Sequence, residues 1–408
     1  MGPVVLFDKS FLECINPDES VWFDHFFYPN ICPMFFVETL ADLEKAPRPG
    51  FTPEDTVRVL ANKAPQVSGN PNAHHNYICK GELSGAPVAM HGSVIIPGGR
   101  AVTSGGRVGV IHDQPPEAIA FQRWQRREFQ EAERLVAKGW REQMKAMDLA
   151  NIESVVAKVC PPPGRVRDLA NAKLFADGVV GDAQRMGANL ALANFLIGIP
   201  DALTLSAGRR WAAFGPPPLT VCASYTAHVL SVMLFFYYAT AAGLVSKERV
   251  SNVVDMAYLF YLPFCSIFTS SDKLHRRCAP LFLRDDQEFI WGGDLKNGLA
   301  QLDAHYDQLP EETKRTGISA FAARPPKEDG FLVADLWDRH CGDWRNTKPP
   351  LESMTPEAHE SVVKKVNQWK DAEELSDQSL PTDHDMVILE RLVDRKRGKW
   401  WQVPEDID

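Results

Sequence analysis

The stretch PVVLFDKSFLE, residues 3–13, decides the fold. Pro3 to Phe7 is a short, nearly continuous apolar run, the pattern of a strand buried on both faces. The run stops at an acid, Asp8, with Lys9 and Ser10 directly behind it. Open α/β sheets hold their ligands at the carboxyl ends of their strands. An acid in that position therefore becomes informative once other acids can be brought to the same edge.

Working outward, NPDES (16–20) carries helix-start chemistry, with Asp or Ser as the cap, and Val21 to Tyr28 is rich in aromatic residues. Pro33 opens PMFFVETLADLEK, a predicted helix on which Phe36, Leu40 and Leu43 share an apolar side, ended by PRPG at 47–50. From residue 49 the character changes. Gly, Pro and Asn are frequent to about 115, residues 117–158 are strongly helical, and PPPG at 161–164 breaks that helix. Residues 49–164 read as an inserted helix-and-strand module. Apolar helices then return. Asn252 to Leu262 reads as a helix entered through Ser251 and stopped by Pro263, and Cys265 to Thr269 as a strand leading to Asp272. Residues 1–48 and 165–305 would together form one discontinuous core. Residues 306–408, with more charge, Pro and Trp, would form a C-terminal extension. The expected class is α/β, helix-rich, around a central parallel sheet.

Two strands thus end in acids, Asp8 and Asp272, and two helices carry acids, Glu38 and Asp255. A parallel sheet places strand ends of one direction on one edge, with helix termini over it. Four carboxylates gathered there repel one another and raise each other's pKa values. A divalent cation relieves that repulsion, and oxygen-only ligands select Mg²⁺ or Mn²⁺ over zinc. Such an ion lowers the pKa of a bound water and stabilises charge on a phosphate. Taken singly, other readings stay open. Asp8 can cap a turn, Asp255 can be a first-turn helix acid, and Asp42, four residues along the same helix, can stand in for Glu38.

In this order and context the residues resemble the PIN-domain nucleases. Asp8 and Ser10 match an acid that ends the first strand ahead of a small hydroxyl residue. Glu38 matches the acid on an early helix, and Asp255 the acid on a helix that leads into a later strand. Ser270-Ser271-Asp272 matches the closing acid. The resemblance covers residues 1–48 and 180–300. It implies a three-layer PIN-like core and metal-dependent phosphodiester hydrolysis, with Asp8, Glu38, Asp255 and Asp272 holding Mg²⁺ or Mn²⁺ in an endoribonuclease. Ser10, Ser270 and Asp42 would orient those carboxylates, and Lys9, Lys273, His275 and Arg276 would grip the substrate. RNA is the implied polymer, with DNA as the alternative. A protein regulator or antitoxin and a second copy of the chain are the further partners to consider. The chain departs from the family pattern in the long segment between Glu38 and Asp255 and in Lys9, which stands where a small or polar residue is usual. A PIN fold that has lost turnover and serves as a scaffold or regulatory protein is the competing expectation.

Composition limits the field further. The 408 residues carry a net charge of −9, which argues against coating nucleic acid by bulk charge but not against a local basic strip such as KLHRRC at 273–278. Eight cysteines without a CxxC pair fit a reducing compartment, and the N-terminus lacks signal-peptide patterning, so the expected location is cytoplasmic. Leu219 to Val245 is uncharged and long enough to cross a bilayer, yet its His228, Ser224, Thr226 and tyrosines favour a helix buried in the core. GGRAVTSGGRVG (98–109) reads as a hairpin with basic tips, or more sharply as a phosphate clamp. His74, His75, Cys79 and His91 follow no zinc spacing. RWQRREF (123–129) offers either an RNA-gripping face or a solvated helix with one buried Trp. DRKRGKWW (394–401) would close over the cleft or dock elsewhere.

Overall fold

The computed structural model describes residues 2–47, 49–213, 215, 217–347, 356–370, 372–375 and 385–406. Along the chain its strands are β1 (Val4–Phe7), β2 (Tyr28–Ile31), β3 (Asn70–Pro71), β4 (Arg100–Ser104), β5 (Arg107–His112), β6 (Ile267–Ser270), β7 (Glu288–Trp291), β8 (Glu373–Glu374) and β9 (Met386–Leu389), before a short hairpin at 396–401. The opening apolar run is β1, with Val5, Leu6 and Phe7 fully buried.

β1 is the middle strand of a five-stranded sheet ordered β3-β2-β1-β6-β7, and every pairing in it is parallel. The protein is therefore a mixed α/β fold, helix-rich around a central parallel sheet. The chain moves outward from β1 to β3, leaves the sheet, and returns as β6 on the other side of β1. Strand order reverses between β1 and β6. That is the place where two successive connections leave in opposite directions and open a crevice beyond the carboxyl ends of the strands.

Local chemistry explains the helices that flank this point. Asn16 and Glu19 form a reciprocal capping box, at 2.8 and 2.7 Å, that starts helix Pro17–Phe26. Pro33, with its preset φ, begins helix Pro33–Leu40, which tightens into the 3₁₀ turn Ala41–Glu44. Helix Ser251–Tyr258 passes into a 3₁₀ segment, Leu259–Phe264, that contains Pro263 rather than ending before it. The uncharged segment forms helix Ser224–Ala241, most of whose side chains are buried in the protein core. Among the described residues no helix is long and apolar enough to cross a membrane.

Residues 49–164 do not stand apart as an inserted module. β3 lies within them and forms one edge of the central sheet, and Val57, Leu60, Ile78, Phe121 and Trp124 join the same hydrophobic core as β1. Pro71 closes that edge without leaving a donor unpaired in a central strand. The helical stretch at 117–158 is three helices, Pro116–Gln125, Glu131–Ala146 and Leu149–Val159, with Arg127 in a left-handed turn between the first two. The 98–109 run is the expected hairpin, its turn made by Gly105 and Gly106 at φ 58° and 76°. Its arginines pair with acids, Arg100 with Asp113 and Arg107 with Asp385, and so do Arg123 with Glu133 and Arg127 with Asp55 in the RWQRREF stretch. Residues beyond 306 also return to the body. β8 and β9 complete a second sheet, ordered β8-β4-β5-β9. The 396–401 hairpin docks on helix Pro17–Phe26, where Trp400 and Trp22 both donate to Asp303.

Candidate active site

The switch point brings the ends of β1 and β6 together, and there Asp8 and Ser270 meet. Asp8 is the N-cap of helix Lys9–Cys14 and accepts the Phe11 amide at 3.0 Å. Ser10 donates to its carboxylate at 2.7 and 2.9 Å, and Ser270 donates to it at 2.8 Å. His275 Nδ1 lies 3.2 Å from Asp8 Oδ2 and 2.8 Å from the Ser270 hydroxyl, while its Nε2 faces the Asp255 carbonyl oxygen at 2.6 Å. The proton directions are consistent throughout. Both serine hydroxyls donate to Asp8 and accept backbone amides, Ser10 from Ser271 and Ser270 from Asp272, each at 2.9 Å. The imidazole donates from both nitrogens.

This arrangement makes a buried ion pair. Burial works against charge on His275, but the hydrogen bond and charge of Asp8, with Asp255 behind it, lift its pKa to about 9. Burial also opposes charge on Asp8, yet His275, Ser10 and the Phe11 amide hold its carboxyl below the ordinary value. Three donors, from Ser10, Ser270 and the Phe11 amide, and the His275 cation thus surround a carboxylate that is 4 % exposed.

The other three acids differ. Asp255 and Glu38 are partly exposed, and so is Asp272. Among the described residues no donor reaches the Asp255 side chain, and burial first, then the charges of Glu38, Asp272 and Asp8, push its carboxyl up to about 7 against the opposing charge of His275. Glu38 is raised by burial, countered by Lys9 and by a 2.6 Å hydrogen bond from the Tyr258 hydroxyl to Oε2. Asp272 caps helix Lys273–Cys278 by accepting the Leu274 amide on Oδ1 at 2.6 Å, which leaves Oδ2 open. The mutual charge effects show that these groups share one crevice. Their uncommitted oxygens are hard donors, the ligand chemistry of Mg²⁺ or Mn²⁺. Among the described residues, however, no three carboxylate, imidazole or thiolate side chains stand close enough to grasp one ion directly.

The expected substrate contacts divide sharply. Lys273 and Arg276 are exposed on the helix behind Asp272, and the Arg276 guanidinium lies 5.2 Å over the Trp291 ring. His275 is fully buried, so it has no surface for a substrate, and its role is to balance Asp8. Lys9 is also buried and meets Asp42 Oδ2 at 2.6 Å, with its pKa held up by Asp42 and Glu38 against burial. Asp42 does not orient an acid. It is fully buried and neutralises Lys9, Lys45 at 2.8 Å and Arg141 at 3.6 Å. Ser10 and Ser270 do position a carboxylate, that of Asp8. Tyr258 was not singled out in the sequence. Its place three residues after Asp255, on the same helix face, was the available signal. No family model, curated protein or solved structure matches the chain.

Proposed function

We propose that the crevice between β1 and β6 carries out metal-dependent phosphodiester hydrolysis on RNA, in a PIN-like core. The observation that carries the reading is Asp255, an acid raised to about 7 among Glu38, Asp272 and Asp8 at the point where strand order reverses. An acid raised in this way by burial and neighbouring acids is the signature of a site waiting for positive charge or for a proton. Asp255, Glu38 Oε1 and Asp272 Oδ2 would hold Mg²⁺ or Mn²⁺, in part through the waters that Mg²⁺ retains. The bound ion would supply an acidified water and charge stabilisation on phosphorus. Asp255 is poised to exchange a proton at neutral pH. Tyr258 fixes Glu38, and the Asp8–His275 pair fixes the rim that carries Asp272. Lys273 and Arg276 would hold the phosphate backbone, with Arg276 and Trp291 as a stacking surface for a base.

A second reading has its own observation. Asp8, with every oxygen occupied by His275, Ser10, Ser270 and the Phe11 amide, behaves as a structural residue. That favours a PIN-like scaffold without turnover. One experiment separates the two. Labelled RNA and single- and double-stranded DNA are incubated with the full chain and Mn²⁺ or Mg²⁺, alongside thermal unfolding in the same buffers. Metal-dependent RNA cleavage, abolished by EDTA and by Asp255→Asn or Asp272→Asn, supports hydrolysis. Stabilisation by Mn²⁺ without cleavage of any polymer favours the scaffold. The absence of both cleavage and a metal response would remove the metal site itself.

A further inference from the structure

The helix that carries Asp255 has another side. Val253, Val254, Met256 and Ala257 on helix Ser251–Tyr258 face a cavity of about 230 Å³, and Met34, four residues before Glu38, lines it from the neighbouring helix. Helices Glu131–Ala146 and Ser224–Ala241 close it with Trp140, Met144, Val232 and Tyr237. It is larger than the roughly 150 Å³ apolar cavity that stays dry and takes up benzene. It is smaller than the roughly 300–1,000 Å³ of most drug-sized sites.

Its chemistry is unusually uniform. The lining contains no Asp, Glu, Lys or Arg. Its two histidines are neutral at pH 7, since burial lowers the pKa of His74 and takes His75 to about 3, and burial raises the Tyr237 phenol to about 12. A charged ligand would find no counter-charge and would lose its hydration on entry. Five of the lining residues are methionines, whose polarisable thioethers pack well against aromatic faces. The rings of His74 and His75 lie 4.2 Å apart and tilted by 32°, and those of His75 and Phe260 4.8 Å apart and tilted by 57°, so one wall is already a run of adjoining rings. Tyr237 and Gln143 bring a phenol and a carboxamide to an otherwise apolar surface.

We propose that this cavity is a binding site for an uncharged, planar aromatic small molecule of one or two rings, seated against the helices that carry Glu38 and Asp255. Size limits the number of rings, the absence of charge excludes anions and cations, and the aromatic and thioether walls favour a flat ring over an acyl chain.

The test is titration of the full-length protein with the uncharged two-ring fluorophore 1-aminonaphthalene, followed by displacement. The expected result is a saturable one-to-one rise in emission, reversed by indole. The anionic relative 5-aminonaphthalene-1-sulfonate should bind at least tenfold more weakly. Met144→Arg puts a charge into the cavity and Val253→Trp fills it. Both positions are partly exposed, so both variants should fold, as thermal unfolding will verify, and each should weaken the probe at least tenfold. Absence of saturable binding, or unchanged binding in both folded variants, overturns the site. Equal or tighter binding of the sulfonate overturns its neutrality. Displacement by 1-dodecanol at lower concentration than by indole overturns the aromatic assignment.

Discussion

Asp8 and Asp255 are the same residue type in one crevice, and their surroundings set them in opposite states. Asp8 lies at the floor, with three donors and a buried imidazolium, and its carboxyl sits below the ordinary value. Asp255 lies on the rim, without a donor among the described residues, and is pushed up to about 7. A carboxylate that the protein has already neutralised is part of the architecture. One that the protein leaves charged among other acids keeps a free energy that a cation or a proton can release.

The strongest way to break this contrast is to remove the floor's counter-charge. His275→Ala leaves Asp8 buried and unpaired, and loss of one partner of a buried ion pair costs about 3–5 kcal/mol. Urea unfolding at pH 7 measures it. Adding Asp8→Asn to His275→Ala should recover part of the loss, since both charges are then gone. A loss under about 1 kcal/mol for His275→Ala would show that the floor is not held by charge.

The pH dependence of stability sharpens the contrast. Asp255 is raised from 3.8 to about 7 on folding, so the folded state binds the extra proton between those values and stability falls as pH rises from about 4 to 7. His275 is raised from 6.5 to about 9, so its contribution is full below 6.5 and is lost as pH rises through 9. Asp8 has the opposite sign. Its lowered pKa gives stability that is present above 3.8 and is lost as pH falls through the folded value. Asp255→Asn should abolish the decline between pH 4 and 7, a gain of at most about 4 kcal/mol at pH 8, and leave the one between 6.5 and 9. Urea unfolding from pH 3 to 10 reads both limbs. Persistence of the lower limb in Asp255→Asn would assign it to another group.

The edge where these acids gather was legible because strands and caps follow local chemistry. Pro3–Phe7 read as a buried strand, and β1 spans Val4–Phe7 with Asp8 at its end. The helix starts at NPDES and at Pro33 were equally visible, although the cap of the first is Asn16, paired with Glu19, rather than the Asp or Ser expected there. What local pattern could not supply was partnership across long separations. Lys9 lies 33 residues from Asp42, and Ser270 lies 262 from Asp8. A lysine beside an acid reads as a phosphate ligand until its buried partner is known. The two-residue strand Asn70–Pro71 is too short to carry any periodicity, so residues 49–164 read as a separate module although they supply an edge of the sheet.

The smallest expected effect on stability tests the same distinction among cations. Lys9 and His275 are buried and paired, whereas Lys273 and Arg276 are exposed beside Asp272. Replacing both of the latter, Lys273→Ala with Arg276→Ala, should change unfolding free energy by no more than about 0.5 kcal/mol, the usual range for surface positions. Their effect should appear in binding. Each phosphate neutralised on a single strand adds about 0.7 to the slope of log affinity against log salt. Losing two such contacts should lower that slope by about 1.4, read by fluorescence anisotropy of labelled single-stranded RNA at several salt concentrations. An unchanged slope would detach nucleic acid from this helix and leave the acids of the rim without a polymer beside them. A lower slope with intact stability would mean that the crevice separates its charges by use, with the buried ones holding the edge and the exposed ones holding what lies across it.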